Sequence, residues 1–400
     1  MFFAIRALAV TSTVFFLSAC GGGGGGGEST SALIPTPSVV VPPVQSGVAI
    51  KQVAAGGWHS LALHRDGRLF AWGLNSYGQL GNGGTLNTPN PQLVGTGFAS
   101  VAAGYRHSVG IKTDGSLWAW GFNDFGQIGD GSGRNALLPK LIGTGYASVD
   151  AGYSHTVAIK IDGTLWAWGN NYKGQLGDGS TTQSLVPKLI SAGFARVSAG
   201  GKGDFAFVGA NFTNPRMHTV AVKTDGSLWA WGFNDYGQLG DGTFIESLVP
   251  KRVGTGYATV SAGGFHTAAI NTDGTLWAWG HNFDGQLGDG TNGASRIPKR
   301  IGAGVASVAA GHFHTLAVKK DGSLWAWGRG GLVGDGSARG ANSPKLVGEG
   351  YLGVAAGGEH SLAIKSDGSV AAWGNDSYGQ TGLQVAGPRL APGVVLGLPN

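Results

Sequence analysis

Short apolar runs with strict alternation, closed by Asp-Gly pairs, recur along almost the whole chain. The run H-T-V-A-I-K from His155 alternates inward and outward positions. Ile161-Asp162-Gly163 interrupts it, and T-L-W-A-W-G, ending at Gly169, alternates again. Two such runs joined by Asp-Gly predict a tight antiparallel hairpin, because glycine takes up the positive φ that the turn needs. The pair returns at Asp66-Gly67, Asp114-Gly115, Asp225-Gly226, Asp273-Gly274, Asp321-Gly322 and Asp367-Gly368. Segments such as P-K-L-I, ending at Ile142, and A-S-V-D-A-G, ending at Gly152, add two further strands to each copy. Beyond the first twenty residues no stretch has a convincing helical period.

The unit H-[ST]-x-A-[IVL]-x-x-D-G-[ST]-L-W-A-W-G-x-N-x-x-G-Q-L-G-D-G is written seven times, starting at His59, His107, His155, His218, His266, His314 and His360. Most neighbouring copies are 48 residues apart. A period of that size, built from short strands, predicts radially repeated sheets. The expected fold is all-β, a seven-bladed β-propeller of four-stranded antiparallel blades over residues 47–400. One copy cannot bury both its faces, so stability must come from blade packing on blade. Twelve of the thirteen tryptophans fall in the W-A-W run or its variants, from Trp72 to Trp373, and are read as inter-blade packing. The ring can be closed by a terminal strand near V-P-P-V, ending at Val44, or near Pro388-Arg389-Leu390. The second is favoured by its spacing from the last G-Q-T-G.

Composition fits this architecture: 76 glycines in 400 residues suit turns rather than helices, and 42% hydrophobic residues supply a core. The first twenty residues differ. Arg6 precedes an apolar run from Ala7 to Leu17, then L-S-A-C ending at Cys20, the pattern of a secretory signal. Cys20, the sole cysteine, cannot form an internal disulfide, and its setting resembles the lipobox of bacterial lipoproteins. The resemblance implies lipidation at Cys20 and a membrane attachment through that lipid. An ordinary signal peptide is the alternative. Residues 21–46, with seven consecutive glycines and then Pro35, Pro37, Pro42 and Pro43, read as a tether. The expected location is the cell envelope, at the outer membrane, periplasmic or surface-exposed.

A formal charge of +5 comes with only 12% charged residues, and the basic ones are scattered. Lys140, Lys188, Lys251, Lys299 and Lys345 share one slot after the proline of the outer strand, where lysine discourages edge pairing. Such a distribution does not make the continuous basic stripe that nucleic acid requires, so nucleic acid is not an expected partner.

The strings W-G-x-N-x-x-G-Q-L-G-D-G, A-G-x-x-H-[ST] and D-G-x-L-W-A-W-G together resemble the regulator of chromosome condensation repeat family, over essentially everything from Gly47 onward. The resemblance implies a seven-bladed propeller. The founding member's nucleotide exchange on a small GTPase does not suit an exported, lipidated chain, so no small GTPase is expected here. Exported propellers of similar architecture present loops of one face to a partner protein, which suits this chain better.

Departures from the repeat are the candidate sites. The fourth copy is lengthened from 48 to 63 residues by a segment from Lys202 to Arg216, which carries Asp204, Phe205, Phe207 and Phe212. That mixture suits a binding loop, with a lid or an accessory hairpin as the alternative. Within A-G-x-x-H, the variable positions hold Trp58, Tyr105, Arg106, Tyr153, Phe265, Phe313 and Glu359. By symmetry they ring one face near the axis, and aromatics with arginine dominate binding energy in protein interfaces. They also have a bland reading, as covers for the edges of their own blades. Tyr77, Phe125, Tyr172, Tyr236, Phe283 and Tyr378, in the W-G-x-N-x-x-G loops, are expected to pack. The sixth copy, W-G-R-G-G-L-V-G-D-G, reads as a shortened loop without functional weight.

Catalysis needs unlike residues converging, whereas nearly every His, Asp and Gln here recurs once per blade. The seven histidines are expected to satisfy backbone groups between blades. No nucleophile-elbow, H-E-x-x-H or P-loop pattern occurs, and single G-D-G carboxylates do not make a metal cage. No catalytic residue, metal or cofactor is therefore expected. The chain reads as a monomeric, non-enzymatic scaffold for a protein partner, with a glycan-binding or hydrolytic propeller acting at the central channel as the competing class.

Overall fold

In each copy the Asp-Gly pair forms the expected turn. Gly163 has φ +78°, and the Asp162 carboxylate accepts the Thr164 backbone N–H at 2.9 Å, bracing the hairpin from within. The computed structural model describes residues 49–202, 216–384 and 387–399. These form seven four-stranded antiparallel sheets, each ordered as in the sequence, and no helix occurs among the described residues. Blade three is representative, with strands Tyr146–Ala151, His155–Lys160, Thr164–Gly169 and Ser184–Ala192.

Blade one begins at the strand Ile50–Ala55, and blade seven ends at Arg389–Val394. The last blade is therefore completed by the C-terminal copy, as the spacing predicts; the stretch ending at Val44 lies outside the described residues. Ile50, Val53, Ala62 and Trp72 of blade one share one apolar cluster with Leu362, Ile364, Val370 and Ala372 of blade seven, and this cluster closes the ring. Elsewhere the core has the same character. Ile159 and Leu165 of blade three, for example, pack with Phe194, Ala221 and Trp231 of blade four.

The tryptophans divide by position. Trp72, Trp120, Trp168, Trp231, Trp279, Trp327 and Trp373, the final tryptophan in each copy, are at most 1% exposed and wedge between blades. The first tryptophan of each W-A-W is only half-buried. Trp166, for example, donates to Thr164 Oγ1 at 2.9 Å and lies under the Lys160 ammonium, 4.4 Å from the ring centre. Full inter-blade wedging thus belongs to the second ring of each pair; the first, two residues earlier and so on the same face of the strand, is only half-buried and, at Trp166, covered by a lysine.

The seven histidines serve each junction differently from the expectation. Each Nε2 lies 2.8–3.0 Å from the Ser or Thr hydroxyl of the next blade, not from a backbone group, and His360 reaches round to Ser60. At six junctions that hydroxyl donates onward to a glutamine carbonyl of the preceding blade at 2.7–2.8 Å. The same carbonyl receives the buried indole N–H at 2.9–3.0 Å. With its proton committed, the hydroxyl accepts from an imidazole that carries hydrogen on Nε2. Burial holds His59, His107, His155, His218, His314 and His360 down to about 3, and His266 well below its ordinary value. The glycine of A-G-x-x-H makes room for the ring: a Cβ on Gly104 would lie 2.4 Å from His107 Cε1.

The lysine slot also differs from the expectation. Lys140, Lys299 and Lys345 pair with the G-D-G carboxylates Asp130, Asp289 and Asp335 at 2.5, 2.5 and 2.8 Å. Lys188 and Lys251 pair likewise with Asp178 and Asp241. The lysines fasten the outer strand to the loop beside it, because the long stem reaches back across the strand to a carboxylate.

Candidate functional site

The A-G-x-x-H turns and the W-G-x-N-x-x-G loops emerge on the same face of the disc. A buried asparagine sets each of five loops. Asn123 donates to Asp130 Oδ1 at 3.1 Å and to the Ser132 carbonyl at 2.8 Å, and its own Oδ1 accepts from Ile128 N. Asp376 has the corresponding acceptor role in the last blade, toward Thr381 N at 2.8 Å. The asparagine clamp frees the residues between to face outward or inward as their types dictate.

At the axis the turns of successive blades bond to one another: Gly57 N–H to the Gly104 carbonyl, Tyr105 to Gly152, Gly264 to Gly311, His312 to Gly357 and Gly358 to Gly56, at 3.0–3.2 Å. Tyr105 and Tyr153 stack at 4.2 Å over this belt, and His312 stacks on Tyr105 at 5.7 Å. Burial pushes the Tyr105 hydroxyl far above its ordinary value and holds His312 down to about 3. The axial cavity left is only about 60 Å³. A channel of that volume does not admit a sugar ring, so a glycan acting through the centre is not supported by this geometry.

The predicted ring residues do gather at one face near the axis, but in two depths. Tyr105, Tyr153, Phe265 and Phe313 are buried, which favours the bland reading for their rings. Trp58, Arg106 and Glu359 are half-buried and reach the surface. Trp58 packs on Tyr105 at 5.0 Å and on Tyr378 at 5.5 Å. Arg106 lies over Tyr77 at 4.9 Å, donates to its hydroxyl at 3.1 Å and also borders Trp58. Glu359 accepts from Asn375 Nδ2 at 3.1 Å. At the ends of the insertion, Lys202 and Arg216 pair through both backbone groups at 3.0 Å. Lys202 Nζ sits 3.9 Å from the Phe313 ring centre, and Arg216 donates to the Tyr236 hydroxyl at 3.3 Å. Asp204, Phe205, Phe207 and Phe212 lie outside the described residues, as do Cys20 and the tether.

Two expectations about the loops need correction. Phe125 packs, but Tyr172, Phe283 and Tyr378 are 50, 66 and 38% exposed, so half of that set is surface rather than scaffold. Tyr172 and Phe283 stand one place after the loop asparagine, a place that is also exposed at Ser76, Asp124 and Asp235, whereas Phe125 and Tyr378 stand two places after that position. The short sixth loop does contribute to the face: Arg329 forms a two-point pair with Asp284 at 3.1 and 3.3 Å and lies 3.4 Å from the Phe313 ring centre. Its missing asparagine was the available signal, since losing the clamp moves the residue beside it. His281, which bonds Gln286 at 2.6 Å and touches both Tyr236 and Phe283, was hidden in a variable position of the repeat. Among the described residues no cluster of three His, Cys, Asp or Glu side chains is placed to hold a metal ion.

Sequence and structure comparisons agree with this architecture. The regulator of chromosome condensation (RCC1) repeat pattern matches residues 50–79, 98–127, 146–175, 257–286, 305–332 and 353–380 in one form. A second form matches 66–111, 114–159, 162–206, 225–270 and 273–318. Both lapse across the middle of the fourth-copy insertion. Among curated proteins, the chain is similar to the probable E3 ubiquitin-protein ligase HERC3 of Homo sapiens, 62% identical over 34 residues, 8% of this chain and 3% of that protein. It is also similar to the ultraviolet-B receptor UVR8 of Arabidopsis thaliana, 53% identical over 36 residues, 9% of this chain and 8% of that protein. These matches span less than a tenth of the relatives' length. Among solved structures, yeast RCC1 (Prp20), crystallised with Kap60, superposes with a TM-score of 0.70 at 23% identity, covering 83% of this chain and 84% of that one. Human WBSCR16 gives 0.68 at 21% identity, over 80% and 88%. With repeat matches over more than half its length, the chain belongs to the regulator of chromosome condensation (RCC1) repeat family.

Proposed function

We propose that this propeller is a non-enzymatic scaffold whose loop face docks a protein partner, and that Cys20 and residues 21–46 tether it to the cell envelope as an outer-membrane lipoprotein. One observation carries the docking reading. Trp58 and Tyr378 reach solvent beside the Arg106 guanidinium, on a disc whose buried positions are otherwise repeated from blade to blade. Aromatic rings braced by arginine are the groups that supply most binding energy in protein interfaces. Related propellers give independent support, since yeast RCC1 was crystallised with the protein Kap60, and the study of Prp20p describes its binding to Gsp1p and histones. Neither partner is carried over.

The test is capture from an envelope extract by the full chain. A stoichiometric protein is expected to be retained and then lost in Trp58→Ala/Arg106→Ala/Tyr378→Ala with the melting temperature held. Tyr105 and Phe265 are unsuitable targets, because truncating buried rings removes core packing. Equal retention by the triple variant overturns the assignment of the surface. The envelope anchor is tested separately by palmitate labelling, with Cys20→Ala abolishing the label if the lipid is attached there.

A further inference from the structure

The groove between blades five and six combines a polar closure with a short loop. Where a loop glycine meets the neighbouring outer strand, Gly78, Gly126 and Gly174 face Leu137, Leu185 and Leu248, Gly237 faces Arg296 and Gly379 faces Pro89, whereas Gly285 faces Asn342. The adjoining loop of blade six is the shortened one, and without the asparagine clamp it folds back so closely that a Cβ on Gly330 would lie 2.0 Å from the Ala338 carbonyl oxygen. Polar closure and a short loop leave a cavity of about 580 Å³ lined by Phe283, Asp284, Asn292, Arg329 and Asn342. A second cavity of about 570 Å³ shares Ser343 and Pro344 with it, so the groove runs on along the blade edge.

We propose that this groove is a binding site for a neutral oligosaccharide of two or three rings. Phe283, 66% exposed, offers an apolar plate for the C–H face of a sugar. Around it stand groups of both hydrogen-bonding kinds. Arg329 uses Nε and Nη2 on Asp284, and Asn342 uses Nδ2 on the Gly290 carbonyl and Asn292. Arg329 Nη1 and Asn342 Oδ1 carry no hydrogen bond among the described residues, leaving a donor and an acceptor at the cavity wall. Hydroxyl-rich rings, each hydroxyl both donor and acceptor, match such a wall. The charges cancel locally, Arg329 against Asp284 and Lys345 against Asp335. A phosphate or polyanion therefore finds no net attraction, and the polar floor disfavours a purely apolar ligand.

Calorimetric titration of the full chain with maltotriose, cellotriose and tri-N-acetylchitotriose, up to about 10 mM, tests the proposal. At least one is expected to bind. Its affinity should fall at least about tenfold in Phe283→Ala and in Asn342→Leu, which installs the leucine found opposite Gly78, Gly126 and Gly174. Both substitutions are chosen to leave the fold intact, checked by an unchanged melting temperature. No binding of any of the three sugars overturns the proposal, and so does binding that both variants leave unaltered. Loss of sugar binding with protein capture retained confirms a site separate from the docking surface.

Discussion

At the junction of blades three and four, His155, Thr219, the Gln175 carbonyl and Trp231 interlock with every member fully buried. On the loop face of the same two blades, Tyr172 is 50% exposed, and Lys173 pairs with Glu246 at 3.1 Å at the surface. Both regions come from one repeated sentence, yet the junction is the same from blade to blade while the face is different at each. A buried polar relay tolerates no substitution that leaves a donor or acceptor unmatched, because its members have no water to turn to. The face has solvent as a substitute partner, so its residues are free to vary and to serve recognition.

The strongest way to break this contrast is acid. Six of the seven relay histidines are neutral in the fold down to about pH 3 and His266 is held neutral well below its ordinary range, whereas an unfolded imidazole gains its proton near 6.5. Unfolding therefore takes up protons between these values, and stability present above pH 6.5 is lost as pH falls toward 3. Each histidine contributes up to about 1.4 kcal/mol per pH unit in that window. Denaturant midpoints measured from pH 7 to pH 4 should drop steeply and together for all blades, and a flat profile would contradict the buried relay.

Next in size is the indole wedge. Trp168→Ala is expected to cost about 3–5 kcal/mol, while Trp166→Ala, on a half-buried ring, should cost well under half of that. Equal losses in thermal unfolding would erase the distinction between the two tryptophans. Thr156→Val keeps the shape but strands His107 Nε2 and leaves the Gln127 carbonyl with the Trp168 indole alone, an expected loss of about 1–3 kcal/mol in urea denaturation. On the face, Tyr172→Ala should move stability by less than about 0.5 kcal/mol. A larger shift would return that ring to the scaffold.

Much of this was legible along the chain, and the reason is periodicity. His155, Gly163, Trp168 and Asn171 recur in nearly all copies, and a residue type demanded at the same place in blade after blade reports a backbone or packing constraint directly. The donor and acceptor partners were not legible. The histidines were expected to meet backbone and instead meet hydroxyls 47 to 64 positions away, or 300 for His360 and Ser60, a pairing that exists only once neighbouring blades are docked. Tyr172 and Tyr105 look alike as aromatic residues in loops, but one is open to solvent and the other sits under Tyr153.

By itself the sequence determined the strands, the Asp-Gly turns and the count of seven blades, because each depends on local alternation or on exact repetition. Only the tertiary structure decided which irregular residues surface, how Arg329 reaches Asp284, and that the axis is shut by Tyr105, Tyr153 and His312. Those outcomes depend on distances between blades, and a repeat unit read alone carries no information about what its neighbour places opposite.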